Sequence, residues 1–261
     1  MESKLVGDKH LEILNWLTPT NYGPQHSDYI KRRQEGTGQW LLNSPKYQAW
    51  RERGKQTLLC RGIPGAGKTI LASVVIEDLI ASYQHETNVG IAFIYCNFRL
   101  HGQQKDGDLL SSLLKQLSEQ RKALPDCVED IFNKHKTKHT RPSSNEISAS
   151  IQSVAAMYSK VFIIVDALDE CQVTDGSRKR LLTEIFNLQT NGKVSFLATS
   201  RHIPDIIDNF QEDTLLDVRA TEEDIRRYLD GQSWLLPSFV RRNPELKEEV
   251  NEAILRAVDG M

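Results

Sequence analysis

The sequence predicts an α/β fold, in which a mostly parallel sheet is covered by helices on both faces. Short apolar runs of strand length alternate with longer segments whose apolar residues recur at helical spacing. The runs at 89–96 and 161–165 are apolar at successive positions, as expected when both faces of a strand are buried. The predicted strands are 56–60, 89–96, 161–165, 194–198 and 215–218.

The same patterns divide the chain into three predicted parts. Residues 1–54 form a lead-in segment of short helices, and residues 55–220 contain the alternating strands and helices. Residues 221–261 change character and are predicted to form a small C-terminal helical subdomain. Thr221 is a candidate helix N-cap there, since threonine hydroxyls accept hydrogen bonds from the first helical N–H groups.

Composition and charge favour an ordinary globular protein. The 261 residues include 33 Lys and Arg against 35 Asp and Glu, which gives a formal net charge of −2. This balance offers no global electrostatic reason to bind nucleic acid or an acidic membrane. The first residues lack a signal-peptide pattern, and no apolar run approaches the ~20 residues that span a bilayer. We therefore expect a cytoplasmic protein with no nucleic-acid partner and no membrane partner.

A glycine-rich segment follows the first predicted strand and opens a predicted helix. Residues 62–69 read G-I-P-G-A-G-K-T and fit the pattern G-x-x-x-x-G-K-[ST] of the P-loop. Gly65 and Gly67 can adopt positive φ and let backbone N–H groups approach phosphate oxygens. Lys68 is expected to meet the outer phosphates, and Thr69 to offer its hydroxyl to Mg²⁺. The predicted nucleotide-contacting residues are Gly62, Gly65, Ala66, Gly67, Lys68, Thr69 and Ile70.

Acidic residues follow the third predicted strand, at the end where open α/β sheets bind their ligands. Asp166 is the candidate magnesium residue, acting together with Thr69. Asp169 and Glu170 follow within one turn, and either one can orient or deprotonate the attacking water. The fourth predicted strand ends near Arg201. If it lies beside the third, the Arg201 guanidinium reaches the same crevice and the terminal phosphate. The alternative for Arg201 is an ordinary surface salt bridge.

These motifs together resemble a known class of protein. G-I-P-G-A-G-K-T at 62–69, V-F-I-I-V-D-A-L-D-E at 161–170, F-L-A-T-S-R at 196–201 and the lead-in at 32–42 resemble STAND-class P-loop NTPases with a NACHT domain. The closer resemblance is to the nephrocystin-type P-loop domain of fungal NACHT and ankyrin-repeat proteins. The resemblance implies ATP or GTP with Mg²⁺ as ligands, and slow hydrolysis that switches a signalling protein of innate immunity between closed and oligomeric states. It also implies a homo-oligomer formed through the NTPase domain.

The resemblance adds two expectations about the ends of the chain. The lead-in of the family borders the nucleotide base, which makes Arg33, Gly36 and Thr37 candidate contacts; the alternative is a helix end with two flexible glycines. The tail from 246 to 261 resembles the helix that precedes the winged-helix part of the family, so the subdomain is expected to be truncated before that part.

Two other interpretations of the sequence stay open. The chain can be a catalytic P-loop enzyme, such as a kinase or a motor-type ATPase, although no arginine-rich lid lies between the acidic residues and the tail. It can also be a non-signalling fragment. The sequence does not separate ATP from GTP, nor Asp169 from Glu170 as the group that activates water.

Overall fold

The computed structural model describes residues 2–100, 106–172 and 176–258. The helices are α1 (Glu2–Leu17), α2 (Gly23–Arg32), α3 (Gln39–Leu42), α4 (Pro45–Glu52), α5 (Lys68–Tyr83), α6 (Asp106–Glu119), α7 (Asp126–Lys136), α8 (Ser144–Ala156), α9 (Ser177–Asn191), α10 (Pro204–Ile207), α11 (Glu222–Gly231), α12 (Ser238–Arg241) and α13 (Pro244–Val258). The strands are β1 (Thr57–Arg61), β2 (Val89–Tyr95), β3 (Lys160–Asp166), β4 (Val194–Ser200) and β5 (Leu215–Asp217).

The five strands form one sheet in the order β2-β3-β4-β1-β5, and every pair is parallel. The predicted α/β fold with a parallel sheet is therefore confirmed. Each of the five predicted strands is present, with ends within two residues of the prediction. The apolar runs were informative because these strands are buried on both faces: all seven residues of β4 are buried.

Both faces of the sheet are covered because the chain travels across it in two directions. It passes from β1 to the far strand β2, and then returns through β3 and β4. Crossovers between parallel strands are right-handed, so opposite directions of travel place the connecting helices on opposite faces. α5 accordingly packs on β2, β3 and β4 from one side, while α6, α8 and α9 contact one another on the other side.

Aromatic side chains fill the core on both sides of the sheet. Phe162 of β3 packs against Trp50 and Tyr83, with ring centroids 5.2 Å and 5.4 Å away. Phe196 of β4 points to the opposite face and packs against Phe186 of α9 at 6.0 Å. Trp50 is 1% exposed, and its Nε1–H donates to the Phe196 carbonyl at 2.9 Å. The lead-in helix α4 is thereby fixed to the sheet by both an apolar contact and a hydrogen bond.

The C-terminal helices lie over the lead-in segment. Thr221 caps α11 as predicted, since its hydroxyl accepts from the Asp224 N–H at 3.1 Å. The Asp224 carboxylate in turn accepts from the Gly38 N–H at 3.0 Å. Arg226 of α11 pairs with Glu248 and Glu252 of α13. Among the described helices, none combines the length and the apolar character needed to cross a membrane.

Candidate nucleotide-binding site

The loop between β1 and α5 has glycines at positions where a side chain would clash or where φ is positive. The Gly62 N–H donates to the Ser200 carbonyl at 3.0 Å, and a Cβ on Gly62 would lie only 2.6 Å from the Val218 carbonyl oxygen. Gly65 and Gly67 have φ of 85° and 82°, in the left-handed region that side chains disfavour. The loop is therefore a rigid, side-chain-poor turn that leads into the N-terminus of α5.

Lys68, the first residue of α5, is folded back over this loop. Its Nζ donates to the carbonyl oxygens of Gly62 and Ile63, at 2.8 Å and 2.7 Å. Burial lowers the pKa of Lys68, while Asp169 and Asp166 nearby oppose that change. The ammonium group thus lies within the loop, and an anion placed there would compete with the two carbonyls for it.

Asp166, the last residue of β3, is the buried acid of the site. Its carboxylate is 3% exposed and accepts hydrogen bonds from the Thr199 hydroxyl, at 2.6 Å, and from the Thr69 hydroxyl. Burial raises the pKa of Asp166 to about 6, although both hydroxyl contacts oppose the rise. The next residue, Ala167, has φ of 53°, and its N–H donates to the Thr199 hydroxyl at 2.8 Å. Thr199 therefore orders both the acid and the turn that follows it.

Asp169 and Glu170 lie in the same short turn but have different partners. Asp169 is 3% exposed and accepts from Arg201 twice: from the backbone N–H at 3.1 Å and from Nε at 2.5 Å. Glu170 accepts from the Phe98 N–H at 3.3 Å. Arg201 follows β4, which lies between β3 and β1, so it reaches the crevice as predicted. Its salt bridge is made inside the site, with Asp169.

A cavity of about 480 Å³ adjoins the loop, and Asp166 is not among the residues that line it. Three distant segments line it: the lead-in, the loop with the start of α5, and the C-terminal helices. Its lining residues are Arg32, Arg33, Gln34, Thr37, Gly38, Trp40, Gly65, Ala66, Gly67, Ile70, Leu71, Arg219, Ala220, Asp224, Ile225, Tyr228, Leu229 and Ile254. The opening beside the phosphate loop and the apolar walls are typical of a site for a planar base.

The three lead-in candidates differ in where they lie. Arg33 and Thr37 line the cavity, and the Arg33 Nε donates to the Thr37 carbonyl at 3.0 Å. Gly36 is not part of the lining. It faces Arg227 of α11 instead, where a Cβ would lie 2.1 Å from Nη1 of that arginine. Gly36 thus allows α11 to approach the lead-in closely.

The wall contributed by residues 219–254 was not predicted from the sequence. Arg219, Asp224, Tyr228 and Ile254 line the cavity although they follow the motifs by many residues. Asp224 and Tyr228 are four residues apart, as on one face of any helix, while Arg219 precedes α11 and Ile254 lies in α13, so only the packing of the C-terminal helices brings the four residues to the loop. No local signal in the sequence indicates this placement.

The residues around Asp166 fit a magnesium ion held mainly by a nucleotide. In the described part of the chain, no group of three or more His, Cys, Asp or Glu forms a ready-made metal site. Mg²⁺ in phosphoryl-transfer sites uses one or two protein oxygens together with phosphates and water. The Thr69 hydroxyl and the buried Asp166 carboxylate, which are hydrogen-bonded to each other, provide such oxygens.

Comparisons with known proteins show one protein family and several solved structures that resemble the chain. The sequence pattern of the family described as nephrocystin 3, N-terminal, matches residues 36–201, which is more than half of the chain. No curated protein sequence matches the chain. Among solved structures, a Walker-type ATPase of Pyrococcus abyssi is 14% identical with a TM-score of 0.52, over 87% of this chain and 65% of that chain.

Two proteins of Aeropyrum pernix are also among the solved structures that match the chain. The ORC1 protein, in a complex with DNA, is 16% identical with a TM-score of 0.47, over 82% of this chain and 50% of that chain. The ORC2 protein, in ADPNP-ADP complexes, is 13% identical with a TM-score of 0.49, over 78% and 52%. The chain therefore spans about half the length of these two proteins.

These comparisons correct the expectation that nucleic acid is not a partner. That expectation rested on the net charge of −2. The structures that resemble this chain include the ORC1 protein in a complex with DNA, so nucleic acid is not excluded on the ground of charge or fold. Net charge was a poor guide because it describes the whole chain and not one surface.

The family match spans the parts of the chain that form the crevice. It begins in the lead-in at residue 36, includes the loop after β1 and the acidic turn after β3, and ends at Arg201. The parallel sheet, with the glycine loop and Asp166 at its carboxyl edge, has the α/β fold of a P-loop NTPase. The chain belongs to the nephrocystin 3 N-terminal family.

Proposed function

We propose that the chain binds a nucleoside triphosphate, ATP or GTP, with Mg²⁺, and hydrolyses it slowly as a regulatory module of the NACHT and STAND type. The observation that carries this proposal is the meeting of Lys68, Asp166 and Arg201 at one edge of the sheet. Lys68 follows β1 through the glycine loop, Asp166 ends β3 and Arg201 follows β4, and these three strands are neighbours in the sheet. The glycine loop also borders a cavity large enough for a base.

Binding begins at the glycine loop. The N–H groups of residues 65–69 meet the phosphates at the N-terminus of α5, where the helix dipole favours an anion. Lys68 exchanges the Gly62 and Ile63 carbonyls for phosphate oxygens. Thr69 and Asp166 hold Mg²⁺, which when bound neutralises the charge on the phosphates. Ile70 and the lead-in residues Arg33 and Thr37 border the rest of the nucleotide.

The different partners of the two acids suggest different roles in hydrolysis. Both oxygens of Asp169 accept from Arg201, so Asp169 serves to position that guanidinium. Arg201 then faces the terminal phosphate, where a cation stabilises the charge of the transition state. Glu170, on the next residue of the turn, is the proposed general base that orients the attacking water. Asp169 acts through Arg201 and does not touch the reacting atoms.

The shape of the cavity suggests how nucleotide controls conformation. Its walls come from residues 32–40, 65–71 and 219–254, so a ligand inside it contacts all three segments at once. A ligand that binds one arrangement of these segments more tightly shifts the population toward it. A bound nucleotide would stabilise the hydrogen bond between the Gly38 N–H and the Asp224 carboxylate, which connects the lead-in to α11. Release would loosen α11 from the lead-in and favour the oligomeric state of the switch.

The test is the mass analysis of nucleotide retained by the purified protein. The proposal predicts bound ADP, ATP, GDP or GTP in the wild type and its loss in Lys68→Ala. Lys122→Ala is the matched control, since that lysine is exposed and lies outside the site. A wild type that carries no nucleotide and has no affinity in a mixed-nucleotide assay would contradict the proposal. Turnover of about 1 per second or faster would favour the catalytic alternative instead.

A further inference from the structure

The strand β2 is the outer strand on one side of the sheet. Within the described residues it pairs with β3 alone. An outer strand normally exposes a row of unpaired N–H and C=O groups, which is a template for pairing with another chain. β2 has seven residues and no proline, so neither short length nor a missing N–H protects it.

The outward groups of β2 are instead paired with two glutamine side chains. The Ile91 N–H donates to Gln120 Oε1 at 3.0 Å, and the Gln120 Nε2 donates to the Ile91 carbonyl at 2.6 Å. The Phe93 N–H donates to Gln116 Oε1 at 3.0 Å, and the Gln116 Nε2 donates to the Phe93 carbonyl at 2.8 Å. Each carboxamide therefore offers one donor and one acceptor, as a peptide group of a neighbouring strand would.

The spacing of the two glutamines matches the repeat of a strand. Gln116 lies in α6 and Gln120 follows its last residue, four positions later, which on a helix is a rise of about 6 Å. Ile91 and Phe93 are two residues apart on β2, which is about 6.6 Å. The distance between the two side-chain amides therefore nearly equals the distance between two successive outward-facing residues of the strand.

Two further contacts fix the end of α6 against this edge. Gly90 leaves the necessary room, because a Cβ there would lie 2.9 Å from the Leu117 side chain and 3.3 Å from Tyr158. The Tyr158 hydroxyl donates to the Leu117 carbonyl at 2.5 Å. The packing at Gly90 and Tyr158 therefore supports the placement of the two glutamines beside the strand.

The edge beside the glutamines is open enough to receive a chain. A cavity of about 520 Å³ is lined by Ile91, Phe93, Gln116 and Gln120, and by residues 20–23 of the lead-in. An extended backbone in this space could form hydrogen bonds with the N–H and C=O groups of Ile91 and Phe93 if the glutamine side chains moved away. A second copy of β2 has the same donors and acceptors at the same two-residue repeat, so it is a complementary occupant.

From these contacts we infer that Gln116 and Gln120 act as a surrogate strand, which keeps the β2 edge from pairing with the β2 edge of a second copy of this chain. The four hydrogen bonds occupy the outward groups of Ile91 and Phe93 at the middle of the edge, so an incoming strand cannot pair there until both carboxamides leave. The covered edge is thus a self-association surface that the chain keeps closed. This role is independent of the nucleotide site.

The experiment shortens both side chains without changing their chemistry. The variant Gln116→Asn with Gln120→Asn keeps both carboxamides but moves them one methylene away from β2. Gln84→Asn is the matched control, since Gln84 lines the same cavity and is exposed. Sedimentation velocity over a range of protein concentrations is the readout. We expect the double variant to gain a larger species with rising concentration, in a way that the wild type and the control do not.

A reversal variant distinguishes strand pairing from general aggregation. Ile91→Pro, added to the double variant, removes an N–H that points away from β3, and proline is tolerated on that side of an edge strand. We expect it to abolish the larger species. Identical sedimentation of the double variant and the control would overturn the inference, as would a larger species that Ile91→Pro leaves unchanged. Fast hydrogen exchange of the Ile91 and Phe93 amides in the folded wild type would overturn it as well, because hydrogen-bonded amides are protected.

Discussion

Replacing Asp166 by asparagine should stabilise the protein at neutral pH while removing its magnesium-dependent binding. Burial raises the pKa of Asp166 from 3.8 to about 6, so the folded protein holds this proton more tightly than the unfolded chain does. The contribution of Asp166 to the free energy of unfolding should therefore fall as the pH rises from about 4 to about 6, and then level off. At ~1.36 kcal/mol for each pH unit, the fall is about 3 kcal/mol.

Asparagine has nearly the shape of the protonated acid, and its Oδ1 keeps the position that accepts from the Thr199 hydroxyl. Asp166→Asn should match the wild type near pH 4 and exceed its free energy of unfolding by about 3 kcal/mol at pH 7. Urea unfolding of both proteins at pH steps from 4 to 8 measures the difference, in which other titrating groups cancel.

The same carboxylate links this stability to the proposed function. A cation beside Asp166 offsets the cost of its buried charge, so Mg²⁺ with nucleotide should stabilise the wild type more at pH 7 than at pH 5, and should lose most of this effect in Asp166→Asn. Two proteins whose free energies of unfolding change in parallel from pH 4 to 8 would refute this account of the buried acid.

Three further changes test other parts of the site. Glu170→Gln should slow single-turnover hydrolysis about 100- to 10,000-fold and leave nucleotide affinity unchanged, whereas an unchanged rate would assign the base elsewhere. Arg201→Ala should lower the free energy of unfolding by about 1 kcal/mol, because the buried Asp169 carboxylate loses a half-exposed guanidinium but keeps the backbone N–H of residue 201, and Asp169→Asn in that background should recover part of the loss in urea unfolding. Gly62→Ala should cost about 1–3 kcal/mol, because the new Cβ meets the Val218 carbonyl at 2.6 Å; thermal unfolding at the wild-type temperature would contradict this.

Local patterns in the sequence were sufficient for the sheet and for the core of the site. Continuous apolar runs predicted the strands because both faces of this sheet are buried. The glycine loop was predicted by its fixed spacing, and Asp166 by its position after an apolar strand. The place of Arg201 depended on one assumption, that the third and fourth strands are neighbours, and the register of β3 with β4 confirms it.

Features that depend on contacts between distant segments were not predicted. The cavity wall at 219–254 reaches the loop only because the C-terminal helices pack on the lead-in, where Gly36 leaves room for Arg227 of α11. The family resemblance implied that Gly36 borders the base, whereas in the structure Gly36 faces Arg227 of α11. Gln116 and Gln120 have the spacing of a solvent-facing helix side, so nothing local indicates that they pair with an outer strand.

The central claim is that the loop at 62–69 holds a nucleotide through Lys68. Equilibrium titration of nucleotide-free protein with Mg-ATP and Mg-GTP tests it most directly, with Lys68→Ala and the surface control Lys122→Ala titrated beside the wild type. The account predicts saturable binding of at least one nucleotide to the wild type and to Lys122→Ala, weakened at least about tenfold, or ~1.4 kcal/mol, in Lys68→Ala. Equal affinity of the wild type and Lys68→Ala, or no binding to any of the three proteins, would contradict it.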